Sequence, residues 1–253
     1  MASMSETPTA SVLIIGNEIL SGRTPDANLV YIAQKLAGIG VKLCEARVVP
    51  DIEADIVAAV NELRARYTYV FTTGGIGPTH DDITAASIAR AFGIKLVEHP
   101  EARARLLAYY TEANLNPARL RMAMTPENAT LIDNPISAAP GFRIENVYVL
   151  AGVPNIMHAM MDNIATELRH GPAIHSIAVS GNVAESTIAE ALAAIAARWP
   201  QTDIGSYPWF RQGQYGTSLV VRGTDKDAVK TAAGDIFALV EKRGGKPVIE
   251  SQI

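Results

Sequence analysis

The densest group of reactive side chains and glycines in the chain is Thr72-Thr73-Gly74-Gly75-Ile76-Gly77-Pro78-Thr79-His80-Asp81-Asp82. An apolar run at 69–73 leads into it and a helical pattern follows it. Glycine lacks a Cβ, so it tolerates positive φ and lets backbone N–H groups approach an anion, while a following helix N-terminus adds partial positive charge. The segment therefore reads as a phosphate cradle, with Thr73, Gly74, Gly75, Gly77 and Thr79 as the candidate contacts. No Gly-Lys-Ser/Thr of a Walker loop occurs, and His80 stands at the third glycine of the dinucleotide fingerprint. The competing reading is a tight strand-to-helix turn capped by Asp81 or Asp82. Beside a pyrophosphate the Asp82 charge would be costly unless it held a metal or a proton. Asp81 and His80 share that ambiguity.

A second group, Gly16-Asn17-Glu18-Ile19-Leu20-Ser21-Gly22-Arg23 with Asp26 and Asn28, follows the first apolar run and should face the same ligand edge. Glu18 and Asp26 could complete a hard oxygen-ligand metal site with Asp82, while Ser21 or Arg23 could hold a phosphate or a ring substituent. Helix capping and solvated charge are the competing roles. Two further loops, 134–142 and 151–154, flank apolar strands, and Gly152 in the second precedes a helix start; both loops, Gly152 included, could line the ligand, the competing role being that of ordinary Pro and Gly turns. Trp209, Phe210 and Arg211 read as a binding patch, an interface or a hairpin tip. Cys44 lies in an apolar strand and is expected in the core. The absence of Gly-x-Ser-x-Gly, His-Glu-x-x-His and Cys-x-x-Cys argues against serine hydrolase, zinc protease and thiol redox chemistry.

The elements that must position these residues follow from periodicity. Strands are expected at 11–15, 41–49, 69–73 and 147–150, and helices at 28–39, from about 52, at 82–92, 101–113 and 156–168. Alternating strands and helices imply a parallel sheet with ligands beyond the carboxyl ends of its strands. Four prolines between Asn116 and Phe142 point to connecting loops with one short helix at 119–122. Gly171-Pro172 marks a boundary. Beyond it the order strand, helix, strand, strand, helix over 174–242 suits a small α+β sandwich of ferredoxin-like or KH-like type. The expected organisation is a flexible extension at 1–10, an α/β/α domain at 11–171 and a small α+β domain at 172–253.

The 253 residues carry 22 Lys and Arg against 26 Asp and Glu, a formal charge of −4 without a basic stripe, which disfavours nucleic-acid binding. Gly213-Gln214-Tyr215-Gly216 is a weak substitute for the missing Gly-x-x-Gly loop of a KH module. A single cysteine permits no internal disulfide, and no stretch approaches 18 apolar residues or forms a signal peptide. A cytoplasmic protein without membrane association is expected.

The TTGGIGPTHDDIT stretch, the GNEILSGR loop with Asp26 and Asn28, and the NPISAAPGF and AGVP segments together resemble the MoaB/Mog molybdopterin-binding domain. More narrowly they are similar to the branch at the N-terminus of the competence/damage-inducible protein CinA and of eukaryotic FAD synthases. The resemblance spans about residues 11–170. It implies a three-layer α/β domain, often a dimer or trimer, that binds a pterin or nucleotide phosphate at the glycine-rich loop. In the Mog branch such a domain adenylylates molybdopterin or helps insert molybdate, with an acidic residue corresponding to Asp82. In the CinA-like branch it is associated with metal-dependent cleavage of ADP-ribose or FAD-type pyrophosphates. Ile76 replaces the threonine usual in the Mog branch, and His80-Asp81-Asp82 follows the CinA-like pattern. The implied chemistry uses Mg²⁺, Mn²⁺ or Co²⁺ held by Asp82 with Glu18 or Asp26, with Asp81 or His80 assisting the attacking water. The amidase domain of full-length CinA is absent from the sequence, so nicotinamide-nucleotide deamidation is not expected. A molybdenum-cofactor enzyme or carrier and a non-catalytic nucleotide sensor are the alternatives.

Overall fold

The computed structural model describes residues 7–111, 114–211 and 213–252. The chain divides into two compact units, residues 1–171 and 172–253. Among the described residues no helix is long and apolar enough to cross a membrane.

In the first unit β1 (Thr9–Ile15), β2 (Lys42–Val49) and β3 (Tyr69–Thr73) lie parallel. A short α1 (Asn17–Leu20) and then α2 (Asn28–Gly38) separate β1 from β2, and α3 (Glu53–Arg66) separates β2 from β3. After β3 come α4 (Thr84–Phe92), β4 (Leu96–Glu98), α5 (Pro100–Tyr110), α6 (Pro117–Leu120) and a 3-10 turn at Arg121–Ala123. Then follow β5 (Met124–Pro126), β6 (Thr130–Ile132), β7 (Gly141–Ile144), β8 (Val147–Leu150) and α7 (Pro154–Ala165). The main sheet runs β2-β1-β3-β8-β7-β6, parallel as far as β8 and antiparallel beyond it. β4 and β5 pair separately.

β1 and β3 carry apolar residues on both faces because both faces are covered. Val12, Ile14 and Phe71 pack with Ile32 and Leu36 of α2 and Met157, Met160 and Ile164 of α7. Leu13, Ile15 and Val70 pack with Ile56, Val60 and Leu63 of α3 and Ile88 of α4. The result is the α/β/α sandwich that the alternation predicts.

Several expectations need correction. Thr9 and Ala10 are not an extension: they pair with Lys42 and Leu43, and Ala10 is buried, while residues 1–6 lie outside the described residues. Cys44 is exposed, because β2 is an edge strand whose alternate residues face outward. α4 begins at Thr84 rather than Asp82, and α5 ends at Tyr110, with 112–113 outside the described residues. The proline-rich stretch holds β5, β6 and β7 as well as the short helix; Pro126 is accommodated because β5 lies at a sheet edge.

The second unit contains β9 (His175–Gly181), α8 (Glu185–Arg198), β10 (Asp203–Arg211), β11 (Gln214–Gly223), α9 (Lys226–Lys242) and β12 (Val248–Gln252). Its sheet, in the order β10-β11-β9-β12, is antiparallel throughout. With β12 added, the order becomes β-α-β-β-α-β, and of the two modules considered this is the ferredoxin-like one. Ile188 and Ile195 of α8 and Val229, Ile236 and Val240 of α9 cover one sheet face through Ile177, Val179, Leu219 and Val221.

Candidate functional site

Three loops meet at the carboxyl end of the parallel strands, and their backbones are locked together. Gly16 N donates to Val49 O at 3.2 Å and Gly74 N to Leu150 O at 3.3 Å, so the strand ends are joined laterally. Gly74 has φ +99° and Gly75 φ +68°, a left-handed turn that favours glycine. A Cβ on Gly152 would stand 3.2 Å from Gly74 Cα, which brings the loop after β8 against the loop after β3. Asn28, at the start of α2, donates Nδ2–H to Gly152 O at 2.8 Å and ties in the loop after β1.

Thr84 turns the glycine-rich loop into α4. Its hydroxyl donates to Gly74 O at 2.9 Å and its N–H to Gly75 O at 3.0 Å. A Cβ on Gly75 would fall 2.2 Å from Thr84 Oγ1, so this close turn needs glycine. Among the described residues, the N–H groups of Gly75, Ile76 and Gly77 have no protein acceptor. Unpaired N–H groups on successive residues beside a helix start form an anion-binding nest.

Asp82 sits against this loop, its carboxylate where a Cβ on Gly77 would lie, 2.6 Å from Oδ2. Oδ2 accepts from Thr79 N at 2.7 Å and lies 2.6 Å from Thr79 Oγ1. Thr79 Oγ1 also lies 2.5 Å from Asp81 Oδ1, and one hydroxyl proton can serve only one carboxylate at a time. The Thr79 hydroxyl holds the Asp81 carboxyl below its ordinary pKa, helped by the Asp81 backbone N–H and, less, by His80 and Arg121. Asp82 therefore ties down the 79–82 turn instead of capping α4. Its Oδ1 accepts no hydrogen bond among the described residues.

A cleft of about 20 Å³, room for one water molecule, opens beside these groups. Gly75, Ile76, Gly77 and Asp82 line it, opposite Arg121, Met122 and Met124, and Pro140 and Phe142 form its apolar end. Arg121 has no ion-pair partner among the described residues. Arg121 is not among the residues expected from sequence; its only signal there is one basic residue in the otherwise apolar run Leu120-Arg121-Met122-Ala123-Met124. Loop 134–142, listed among the candidate ligand loops by sequence, contributes Pro140 and Phe142, while Asn134 braces the loop through Ser137 Oγ and Ala139 O.

Thr73 and Asn28 stand at the inner edge of the site. Thr73 is 1% and Asn28 5% exposed, yet Thr73 Oγ1 and Asn28 Oδ1 have no hydrogen-bond partner among the described residues. The other predicted residues do not converge. Ser21 is exposed and its hydroxyl donates to Glu18 O at 3.2 Å, closing its own short helix. Asp26 Oδ1 accepts from Leu29 N at 2.8 Å in the first turn of α2. The Glu18 carboxylate folds over Gly16. Glu18, Asp26 and Asp82 are thus each engaged locally, and among the described residues no three His, Cys, Asp or Glu side chains are grouped to hold a metal ion. The expected three-carboxylate centre is not assembled: Asp26 and Asp82 each give one oxygen to a nearby backbone N–H, and the Glu18 carboxylate lies over Gly16.

A family model described as "Probable molybdopterin binding domain" matches residues 11–170. A protein of Archaeoglobus fulgidus is 34% identical over 234 residues, which cover 92% of this chain and 98% of that protein. The chain belongs to the molybdopterin-binding-domain family. It falls in the CinA-like branch: a CinA-like protein of Desulfosudis oleivorans is 34% identical over 253 residues, 94% of this chain and 60% of that longer protein. The solved structure of the protein CinA with unknown function from Thermoplasma acidophilum covers 64% of this chain and 98% of its own, at 34% identity and a TM-score of 0.61. A second family model, "FAD synthase, middle domain", matches residues 173–246 in the second unit.

Proposed function

We propose that the 74–77 loop and Arg121 hold the phosphates of a pterin or nucleotide ligand, and that the reaction is hydrolysis of a pyrophosphate bond in an ADP-ribose-like or FAD-like dinucleotide. The carrying observation is the single cleft that gathers three unpaired backbone N–H groups, an unpaired guanidinium and a carboxylate with one free oxygen. The N–H groups and Arg121 would bind the non-bridging oxygens and stabilise the charge that builds on them as the phosphorus is attacked. Asp82 Oδ1 would take a proton from the attacking water; the P–O bond to the bridging oxygen breaks and two monophosphates leave. Met122 and Met124, with Pro140, give the cleft an apolar side against which the attached ring would pack.

A second reading, binding of molybdopterin in cofactor synthesis or transfer, rests on the family model over residues 11–170. Assembly as a dimer or trimer belongs to either reading. Release of monophosphates from ADP-ribose and FAD, with and without Mg²⁺, Mn²⁺ or Co²⁺, separates the two. Asp82→Asn should lower turnover at least about 100-fold while nucleotide binding persists. Arg121→Ala should weaken binding about tenfold, from loss of a charge-assisted contact. An Asp82→Asn protein as active as the parent removes the hydrolytic role. No release with any metal, together with retained molybdopterin, moves the assignment to the second reading.

A further inference from the structure

The sheet of the second unit has one face covered by α8 and α9 and an opposite face that carries two aromatic rings. Ile204 points to the helices, so Gly205, Tyr207 and Trp209 point away from them along β10. Both rings pack against the position a glycine leaves open. A Cβ on Gly205 would meet Tyr207 Cε2 and Oη at 2.8 Å, and one on Gly216, the cross-strand partner of Trp209, would meet Trp209 Cζ2 at 2.3 Å. The indole is pinned as well as seated: Trp209 Nε1 donates to Ser180 Oγ on β9 at 3.1 Å. Tyr207 remains 51% exposed. Arg211, next on the same face, places its guanidinium 5.7 Å from the Trp209 ring centroid and has no ion pair among the described residues.

We propose that Tyr207, Trp209 and Arg211 form a stacking site for the planar base of a nucleotide, with Arg211 meeting its phosphate. The half-exposed Tyr207 ring, beside an indole held by Ser180 and carrying Arg211 over it, offers aromatic surface on which a heteroaromatic base can stack, and every base has a π-face. A guanidinium free of carboxylates supplies the complementary charge. The surrounding face mixes Ala178, Val220 and Val248 with Ser180, Ser218, whose hydroxyl is 3.0 Å from Glu250 Oε2, and Arg222. Rings set among serines and two arginines suit a polar heterocycle with a phosphate better than the apolar core of a protein interface. The site stands independently of the chemistry assigned to the 74–77 loop.

The test is tryptophan fluorescence of the full chain, titrated with AMP, FAD, a six-nucleotide adenylate strand and ribose 5-phosphate as the ring-free control. Saturable quenching by AMP and FAD but not ribose 5-phosphate is expected. Tyr207→Ala should weaken it about tenfold, Arg211→Ala should weaken AMP more than adenosine, and Trp209→Phe should remove the signal. Binding by the strand in multiples of the AMP affinity, with the same Tyr207 dependence, would assign the base to single-stranded nucleic acid and overturn the free-nucleotide assignment. Quenching indifferent to Tyr207→Ala, or no quenching with a dimer that dissociates in Tyr207→Ala, would overturn the site altogether. Phosphate release measured on the Tyr207→Ala protein keeps the outcome separate from that of the first unit.

Discussion

A methyl group at Gly74 would stand 2.2 Å from the Ile15 carbonyl oxygen, and Gly74 holds φ +99°. Neither a backbone oxygen of a central strand nor a left-handed turn yields cheaply, so Gly74→Ala is expected to cost more than about 2 kcal/mol. Urea unfolding should show a lower midpoint, with ligand binding at the loop lost in parallel. Gly75 and Gly77 face side chains, Thr84 Oγ1 and Asp82 Oδ2, so their demand for glycine comes from the turn's own polar partners. The division of labour between the two acids is also a matter of individual atoms. Thr79 engages Asp81 through Oδ1 and Asp82 through Oδ2, which leaves Asp82 Oδ1 without a hydrogen bond among the described residues. Residue type revealed Asp82; which oxygen is free depends on the fold of the 79–82 turn.

At the scale of elements, long periodic segments were legible and short ones were not. α3, α7 and α9 bury one face each, and their apolar spacing shows in the sequence. β4 to β7 have three or four residues apiece, too few for a period to emerge, and three of them lie in a stretch whose prolines read as loop. That misreading concealed Arg121 and the apolar wall, since both depend on how 121–142 folds back beside the glycine-rich loop. β12 was missed because its partner β9 precedes it by almost the whole second unit, a pairing without local trace. Within α9, Gly234 sits in a helical interior with open space where a Cβ would be. Gly234→Ala should stabilise the protein by about 0.5–1 kcal/mol, read as a higher urea midpoint with unchanged ligand binding.

Across the whole molecule, pH dependence should come from carboxylates paired with basic groups. Arg47 holds Glu45 and Glu62 below their ordinary pKa through hydrogen bonds, and Tyr67 adds to the effect on Glu45. Lys35 does the same for Asp162, helped by the Tyr31 hydroxyl, where α2 packs on α7. A carboxylate with a lower pKa folded than unfolded contributes fully above its unfolded value. That contribution is lost as pH falls through the unfolded value toward the depressed one. Thermal stability is therefore expected to be level from about pH 8 to 5 and to fall below about pH 4.5, with a smaller fall in Asp162→Asn protein. Composition, periodicity and the glycine-rich stretch by themselves determined an α/β sandwich, a small α+β unit and a tight glycine-rich turn after β3. Those features follow from local spacing, backbone freedom and the burial demanded by apolar runs. Tertiary structure alone decided that Asp26 is spent on the first turn of α2 and Glu18 folds over Gly16, that Arg121 lines the same cleft as the loop, and that Trp209 and Tyr207 stand on the open face of the second sheet. Each of these depends on what a distant segment places beside a side chain, and sequence spacing carries no record of such neighbours.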